Sequence, residues 1–307
     1  MTQESNQLTK KQAWLVAMRP RTLPLAVASS IMGGFLAAAD GVFSWMVTLL
    51  CVLTAVFLQI LSNLANDYGD SVHGADRVAR AGPKRAVQTG LIHADDMKRA
   101  MGGFAVLSAL SGLTLVIVAL GLSALPYVLL FVLLGGAAIW AAISYTAGSN
   151  PYGYAGLGDV FVLVFFGWVG TMGTYFLQAF TWNWLVFLPA TSVGLLSVAV
   201  LNVNNIRDID SDRQAGKHSI PVRIGPHKAR IYHWILLGGA VLCAFGYVGL
   251  AYTSPWQFLF VLSLPLLIRN GTAVWRTHDP LKLNPMLKQL SLSTLVLVAT
   301  FGIGQIL

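Results

Sequence analysis

The chain of 307 residues is strongly apolar: 56 % of its residues are hydrophobic and only 10 % are charged. A soluble domain carries about 25 % charged residues, so this composition excludes a water-soluble fold, and the same apolar excess excludes disorder. A disulfide scaffold is excluded because the two cysteines, Cys51 and Cys243, lie inside apolar runs without redox or metal-ligand spacing. The net charge of +8 has to be interpreted relative to a membrane.

Nine apolar segments are long enough to cross a bilayer, which takes about 20 mostly apolar residues. In chain order they cover residues 23–39, 43–65, 99–121, 124–146, 159–180, 184–206, 229–252, 255–276 and 287–307. If the N-terminus is cytoplasmic, the basic residues all fall on the cytoplasmic side, so the positive-inside rule favours an N-in, C-out orientation. The positive charge then reflects topology, and we expect no nucleic-acid partner.

These segments predict an all-α, polytopic membrane protein with nine transmembrane helices, in which two four-helix units and one further helix form a bundle. We expect a single domain over residues 1–307, embedded in the lipid bilayer. Its predicted cytoplasmic parts are an N-terminal arm and two long active-site loops, at residues 1–22, 67–98 and 207–228.

Acidic residues are scarce and are concentrated at the ends of the second and sixth segments. Asp159 is the only charged side chain between residues 100 and 206. Spacings of four residues, which place side chains on one face of a helix, occur in both clusters. The first cluster contains Asn63, Asn66, Asp67, Asp70 and Asp76, and the second contains Asn204, Asp208, Asp210 and Asp212.

The two clusters predict a site for a divalent cation and a diphosphate. Carboxylates that share a cavity mouth repel one another unless a cation lies between them, and Mg²⁺ is commonly held by one or two carboxylates together with substrate phosphates. A solvated helix cap would explain a single cluster, but two matched clusters in an acid-poor chain favour a metal site. Basic residues suited to phosphate oxygens follow both clusters, namely Arg80, Lys84, Arg85, Lys217 and Arg223.

These motifs resemble those of the UbiA superfamily of intramembrane aromatic prenyltransferases, and the resemblance covers essentially the whole chain. The first cluster is similar to the family motif NDxxDxxxD, although its last aspartate position is Gly74 here and Asp76 follows two residues later. The second is similar to DxDxD. The strings "RPRTLPLA" at 19–26, "GPKRAVQTGLI" at 82–92 and "NPYGYAGLGDVFVLVFFG" at 150–167 resemble the branch that prenylates 1,4-dihydroxy-2-naphthoate for menaquinone biosynthesis.

The resemblance implies a reaction in which a polyprenyl group passes from polyprenyl diphosphate to 1,4-dihydroxy-2-naphthoate, with loss of CO₂ and diphosphate, to give demethylmenaquinol. It implies Mg²⁺ as cofactor, a bacterial cytoplasmic (inner) membrane with the site facing the cytoplasm, and no obligate protein partner. The implied catalytic residues are Asp67, Asp70, Asp208 and Asp212, and these four with Asp76 are the implied metal ligands.

The remaining polar candidates are assigned to the substrates. We expect Arg80, Lys84 and Arg85 to bind the diphosphate, and Arg19 and Arg21 to bind the acceptor carboxylate. Asn63, Asn66, Asn204, Lys217, Arg223, Tyr145 and Asp159 complete the expected substrate-binding set. Asp159 has two open interpretations, as a partner of a helix N-terminus or as the acceptor of a naphthol proton.

Aromatic side chains are the candidates for stabilising an allylic cation by cation–π contact. They are Trp140, Tyr145, Phe165, Phe166 and Trp168.

Three alternative functions compete with this interpretation. The nearest is a related prenyltransferase with another acceptor, 4-hydroxybenzoate or homogentisate. A secondary transporter would place ionisable groups at the bilayer midplane, whereas here they are concentrated at one face. A CDP-alcohol phosphotransferase would carry a D-G-x-x-A-R string, which is absent.

Overall fold

The computed structural model describes residues 9–72, 86–88 and 90–307. Within these ranges the chain forms twelve α-helices: α1 Lys10–Met18, α2 Leu23–Ala39, α3 Trp45–Val72, α4 Ala94–Leu120, α5 Leu125–Ser144, α6 Gly158–Val162, α7 Gly170–Ala179, α8 Phe187–Arg207, α9 Ile209–Gln214, α10 Ile220–Leu250, α11 Leu264–Arg276 and α12 Asn284–Ile306. A π-helical segment joins α6 to α7 over Leu163–Val169. Short 3₁₀ segments cover Pro20–Thr22, Trp184–Val186, Pro255–Ser263 and Pro280–Leu283.

The predicted membrane spans are confirmed. In the part of the chain that the structure describes, nine helical stretches are long and apolar enough to cross a bilayer. They are Lys10–Ala39, Trp45–Val72, Ala94–Leu120, Leu125–Ser144, Gly158–Ala179, Trp184–Arg207, Ile220–Leu250, Pro255–Arg276 and Pro280–Ile306. The chain is therefore an integral, multi-pass membrane protein.

The segments predicted as an arm and as loops contain more helix than the sequence indicated. The predicted arm holds α1, which begins at a capping box formed by Thr9 and Gln12 and packs Ala13 and Ala17 into the core. The predicted loop at 67–98 begins inside α3, and the loop at 207–228 contains α9 and the first turns of α10. A hydropathy profile ends a predicted span at the first polar residues. The helix itself continues where those polar residues are buried against neighbouring helices.

Among the described residues, the hydrophobic core is divided into three clusters. The largest is built from buried residues of α2, α7, α8, α10, α11 and α12, a second from α1, α3 and α4, and a third from α3, α4 and α7. Helix α2 packs against α3, α7 and α12, and so joins the two halves of the chain. A Cβ atom on Gly33 would lie 2.5 Å from the carbonyl oxygen of Thr171, so α2 and α7 approach more closely than any larger residue allows.

A polar link crosses the last three helices inside the bundle. His233 of α10 and Asn270 of α11 share a hydrogen bond of 3.0 Å between Nε2 and Oδ1. The Asn270 amide donates to the carbonyl oxygen of Met286 at 3.1 Å and to the side chain of Gln289 on α12. The centres of α10, α11 and α12 are thus less uniformly apolar than the sequence suggested, because polar side chains that hydrogen-bond to one another can be buried together.

Candidate active site

A cavity of about 560 Å³ runs between α2, α3, α4, α5, the fifth span and α8. Polar side chains line it at the polar end, the end of the bundle that carries Asp67, Asp70, Asp208 and Asp212. Apolar residues line its remaining length, which reaches Cys51, Leu115 and Leu177. Helix directions account for this division, because α3 and α8 both finish at the polar end with their acidic clusters. The lining residues at that end include Arg19, Arg21, Asn66, Asp70, Asn204 and Lys217.

The described residues of the first acidic cluster lie on the last turns of α3, where Asp67 and Asp70 are buried. Arg19 donates from Nη2 to Oδ1 of Asp67 at 2.7 Å. Arg19 has a left-handed backbone (φ 49°) between α1 and the following turn, and its carbonyl oxygen accepts a bond from the Thr22 hydroxyl. Asp70 accepts a hydrogen bond of 3.0 Å from the hydroxyl of Tyr154. Both carboxylates therefore have the partners that burial requires.

A close approach of two chain segments sets the position of Asn66. A Cβ atom on Gly69 would lie 2.3 Å from the carbonyl oxygen of Thr146, so only glycine permits this contact. The Thr146 hydroxyl lies 3.0 Å both from the carbonyl oxygen of Ala65 and from Oδ1 of Asn66. The connection after α5 is thereby fixed against the acidic end of α3.

The second acidic cluster begins where α8 ends, at Arg207. Asp208 departs from helical geometry (φ −101°, ψ 11°), and this break lets two adjacent side chains form a forked ion pair. Arg207 donates from Nε to Oδ1 of Asp208 at 2.8 Å and from Nη2 to Oδ2 at 2.6 Å. The same guanidinium bonds Asn204 and Asn284, both at 2.8 Å. The two charged side chains are 1 % and 2 % exposed, so Arg207 is a buried counter-charge for Asp208.

Asp212, Lys217 and Tyr145 form a further group beside the cavity. The Lys217 ammonium lies 3.6 Å from Oδ2 of Asp212 and 5.8 Å from the ring centre of Tyr145. Burial raises the pKa of the Tyr145 phenol, and the Lys217 charge opposes this effect. Asp210, by contrast, is exposed and lies 3.8 Å from Arg213.

The oxygen donors at the polar end fit a hard divalent cation. Mg²⁺ is commonly bound by one or two carboxylates, with waters and substrate phosphates completing its octahedron. Asp70, Asn66 and Asn204 carry such oxygens and line the cavity. Among the described residues, no three acidic, histidine or cysteine side chains form a cluster that could hold an ion by themselves. Oxygens of a bound diphosphate would complete the coordination of a cation held by these residues.

Several predicted site residues bond elsewhere and do not line the cavity. Asn63 donates to the carbonyl oxygen of Met18 at 2.9 Å and so ties α3 to the end of α1. Asp159 accepts a bond of 2.9 Å from the Tyr232 hydroxyl and stands in the first turn of α6, which favours its interpretation as a helix N-terminal partner.

Arg223 also has a connecting position. Its guanidinium donates to the carbonyl oxygens of His218, at 2.9 Å, and Ala155, at 2.6 Å. It thereby joins the connection before α6 to the connection before α10. Asp67, Asp208 and Asp212 do not line the cavity, although Asp67 and Asp212 pair with the lining residues Arg19 and Lys217. Four predicted site residues fall outside the described residues: Asp76, Arg80, Lys84 and Arg85.

The aromatic candidates divide into two groups. Tyr145, Phe165 and Phe166 line the cavity. Trp140 is 56 % exposed on the outside of α5, where it packs on Tyr152. Trp168 donates to the Thr191 hydroxyl at 3.0 Å and stacks on Phe187 of α8. Neither tryptophan belongs to the cavity wall.

Sequence reasoning missed three residues that hold the site together. Arg207 was counted only as a topological charge, because adjacent residues on a continuous helix do not face each other. Tyr154 and Thr146 lie in the connection between α5 and α6, where no periodicity marks them. The one available signal was that Arg207 directly precedes Asp208, the first aspartate of the second acidic motif.

Comparisons with known proteins identify related chains. The UbiA prenyltransferase family matches residues 26–293. A 1,4-dihydroxy-2-naphthoate octaprenyltransferase of Escherichia coli K12 is 48 % identical over 298 residues, covering 97 % of this chain and 96 % of the relative. A protein of the same name from Haemophilus influenzae is 44 % identical and covers 96 % of both chains.

Solved structures share the fold at low sequence identity. A UbiA homologue from Aeropyrum pernix K1, in its apo form, has a TM-score of 0.71 at 17 % identity, covering 93 % of this chain and 98 % of that one. A UbiA homologue from Archaeoglobus fulgidus, bound to DMAPP and Mg²⁺, has a TM-score of 0.64 at 18 % identity, covering 95 % and 98 %. The likeness confirms the helical membrane architecture.

Proposed function

The chain belongs to the UbiA prenyltransferase family, and on that premise we propose that it transfers a polyprenyl group from polyprenyl diphosphate to 1,4-dihydroxy-2-naphthoate, releasing CO₂ and diphosphate. The observation that carries this proposal is the cavity itself. It joins a polar end with paired acidic and basic groups to an apolar length between membrane helices. Relatives named for this reaction, at up to 48 % identity over nearly the whole chain, support the acceptor.

The polar end has the donors to bind a magnesium diphosphate. Asp70, Asn66 and Asn204 would hold the cation, with Asp212 beside them, and Lys217 would contact a phosphate oxygen. Bound Mg²⁺ neutralises the charge that develops on a leaving diphosphate. Arg19 and Arg207 hold Asp67 and Asp208 behind this group, so that the site keeps its carboxylates in place. The UbiA homologue solved with DMAPP and Mg²⁺ supports a site that binds Mg²⁺ together with a prenyl diphosphate.

The two parts of the cavity have different roles in the proposed reaction: the polar end takes the leaving diphosphate, and the apolar part holds the allylic cation away from water. The allylic C–O bond breaks and its electron pair leaves with the diphosphate at the polar end. A ring carbon of the naphthoate then forms the new C–C bond, and the electron pair of the ring–carboxylate bond returns to the ring as CO₂ leaves. The apolar walls exclude water, which would otherwise capture the cation. The product is demethylmenaquinol.

Arg21 is a candidate for binding the acceptor carboxylate. It lines the cavity, as Arg19 does, and an arginine guanidinium can form two parallel hydrogen bonds to a carboxylate. Arg21→Ala should therefore raise the KM for dihydroxynaphthoate more than the KM for the prenyl diphosphate. Two-substrate kinetics in nanodiscs measure both constants, and an effect confined to the prenyl diphosphate would contradict the assignment.

We place the protein in the bacterial cytoplasmic membrane with its polar end facing the cytoplasm. The distribution of basic residues supports this orientation. Soluble naphthoate and diphosphate then exchange with the cytoplasm, while the prenyl chain stays in lipid.

An acceptor panel tests the proposed function. Purified protein in nanodiscs receives labelled polyprenyl diphosphate and Mg²⁺ with 1,4-dihydroxy-2-naphthoate, 4-hydroxybenzoate or homogentisate. We expect lipid-soluble product with 1,4-dihydroxy-2-naphthoate and with neither of the other two acceptors. Product formed preferentially with another acceptor would contradict the proposed substrate while leaving the family intact.

A further inference from the structure

The fifth span presents an unusual face to the cavity. Its lining residues recur every four positions, in two parallel rows, over four turns. One row is Phe161, Phe165, Val169, Gly173 and Leu177, and the other is Val162, Phe166, Gly170 and Thr174.

A regular α-helix cannot keep such a face. With 3.6 residues per turn, each step of four residues turns the side-chain direction by about 40° past a full turn. Four steps would carry Leu177 about 160° away from Phe161. The π-helical segment Leu163–Val169 accommodates one extra residue, which reverses about 100° of this drift. The amide of Gly170 bonds back to the carbonyl oxygen of Phe165, five residues earlier, as this geometry requires.

Packing on the other side fixes the π segment in this register. A Cβ atom on Gly167 would lie 2.8 Å from the carbonyl oxygen of Ala190 and 2.9 Å from the Cα of Gly194, so the segment crosses α8 at backbone contact. Trp168 bonds Thr191 on the same helix. The segment is therefore clamped against α8 while Phe165 and Phe166 stand next to each other in the cavity wall.

We propose that this π turn is a positioning device that presents Phe165 and Phe166 together to the allylic cation and directs the cation toward the acceptor. The inference rests on the proposed function. The ring faces carry negative charge and attract a cation within about 6 Å of their centres. Their role follows the breaking of the C–O bond, when the cation either forms the C–C bond to the naphthoate, adds water to give a prenol and a proton, or loses a proton to give a diene.

The division of the allylic cation among its three products tests whether the π turn positions the two rings. Each reaction is measured twice, as diphosphate released and as prenylated naphthoate formed, and prenol and diene account for the difference. Phe165→Leu and Phe166→Leu, alone and combined, should keep Mg²⁺-dependent diphosphate release but lower the transferred fraction by roughly 2- to 30-fold, as a lost cation–π contact predicts. Phe165→Tyr and Phe166→Tyr keep an aromatic ring at each position and should therefore retain most of the prenyl transfer.

Trp140→Leu is the matched control, since it removes an aromatic ring outside the cavity wall, and this variant should partition the cation as the unaltered protein does. Deletion of Val164 removes the extra residue and returns the segment to α-helical register. This variant should lower the transferred fraction even where thermal unfolding shows a folded protein.

Three results would overturn the proposal. One is an unchanged transferred fraction in the combined leucine variant, which is informative even if the deletion variant fails to fold. Another is an equal fall in the Trp140→Leu control. The third is a loss of diphosphate release in proportion to transfer, which would mean that the rings act before the cation forms. Failure of the proposed function is distinguishable, because the unaltered protein would then yield no prenylated naphthoate.

Discussion

At the scale of single residues, each buried carboxylate of the site has a cationic or hydroxyl neighbour. Asp67 bonds Arg19, Asp208 bonds Arg207, Asp212 lies near Lys217, and Asp70 accepts from a tyrosine. Burying a charge without such a partner costs several kcal/mol, which explains why acids are scarce elsewhere in this chain. The pairs keep the carboxylates in place at the mouth of an otherwise apolar cavity.

Removal of the Arg207 side chain should destabilise the protein. Arg207→Met leaves Asp208 buried without its forked partner, and breaking a buried pair costs roughly 3–5 kcal/mol. We expect a lowered unfolding temperature in detergent, with Arg207→Lys intermediate because an ammonium cannot reproduce the fork. Arg213→Met is the control, since its side chain is 58 % exposed. Equal stability of the Arg207→Met and Arg213→Met proteins would contradict the buried counter-charge.

Asp70 and Asp210 should differ sharply in turnover. Asp70 is buried and lines the cavity, whereas Asp210 is exposed on α9. Asp70→Asn should lower prenyl transfer at least about 100-fold, because several kcal/mol of charge stabilisation are lost. Asp210→Asn should retain most activity. Matched initial rates at saturating Mg²⁺ measure this difference, and similar losses in both variants would argue against the cavity as the reaction site.

At the scale of helices, the close contact between α3 and the connection after α5 organises the first acidic cluster. Gly69→Ala would push the Thr146 carbonyl away and disturb the bonds of Asn66. Overpacking of this kind typically costs about 1–3 kcal/mol, so we expect lower thermal stability together with weaker Mg²⁺ activation. Gly102→Ala and Gly103→Ala serve as controls, because a Cβ atom there meets nothing within 4 Å. A neutral Gly69→Ala protein would contradict the role of this contact.

Helices were largely predictable from the sequence, and their polar ends were not. Runs of apolar residues indicated all nine spans because a bilayer imposes a minimum length. The break at Asp208 and the π segment at Leu163–Val169 escaped prediction, since both depend on packing against other helices rather than on local composition. For the same reason the pairing of Asp208 with Arg207 could be found only in three dimensions.

At the scale of the whole molecule, the distribution of charge across the bilayer predicts the orientation. Lys11→Cys and Leu307→Cys, each made in a background without Cys51 and Cys243, report the two ends. A membrane-impermeant maleimide should label Leu307→Cys in spheroplasts and Lys11→Cys only after lysis, since the basic residues favour the cytoplasm. The reverse labelling pattern would contradict an N-in, C-out topology.

The sequence predicted that the two acidic clusters, about 140 residues apart in the chain, belong to one site, and residues of both clusters line the same cavity. Their spacing and their position at span ends carried that inference. Which residues stand in the cavity wall and which do not could not be inferred, because Asn63 lies four residues before Asp67 just as Asn66 lies four residues before Asp70. Only their hydrogen-bond partners separate them.

The most direct test of the central claim follows the carboxylate of the acceptor. Purified protein in nanodiscs receives polyprenyl diphosphate and dihydroxynaphthoate labelled in its carboxyl carbon, with Mg²⁺ or with EDTA. The account predicts one labelled CO₂ for each prenylated naphthol formed, and neither product in EDTA. Prenylated product that retains the label, or full turnover in the chelator, would contradict it.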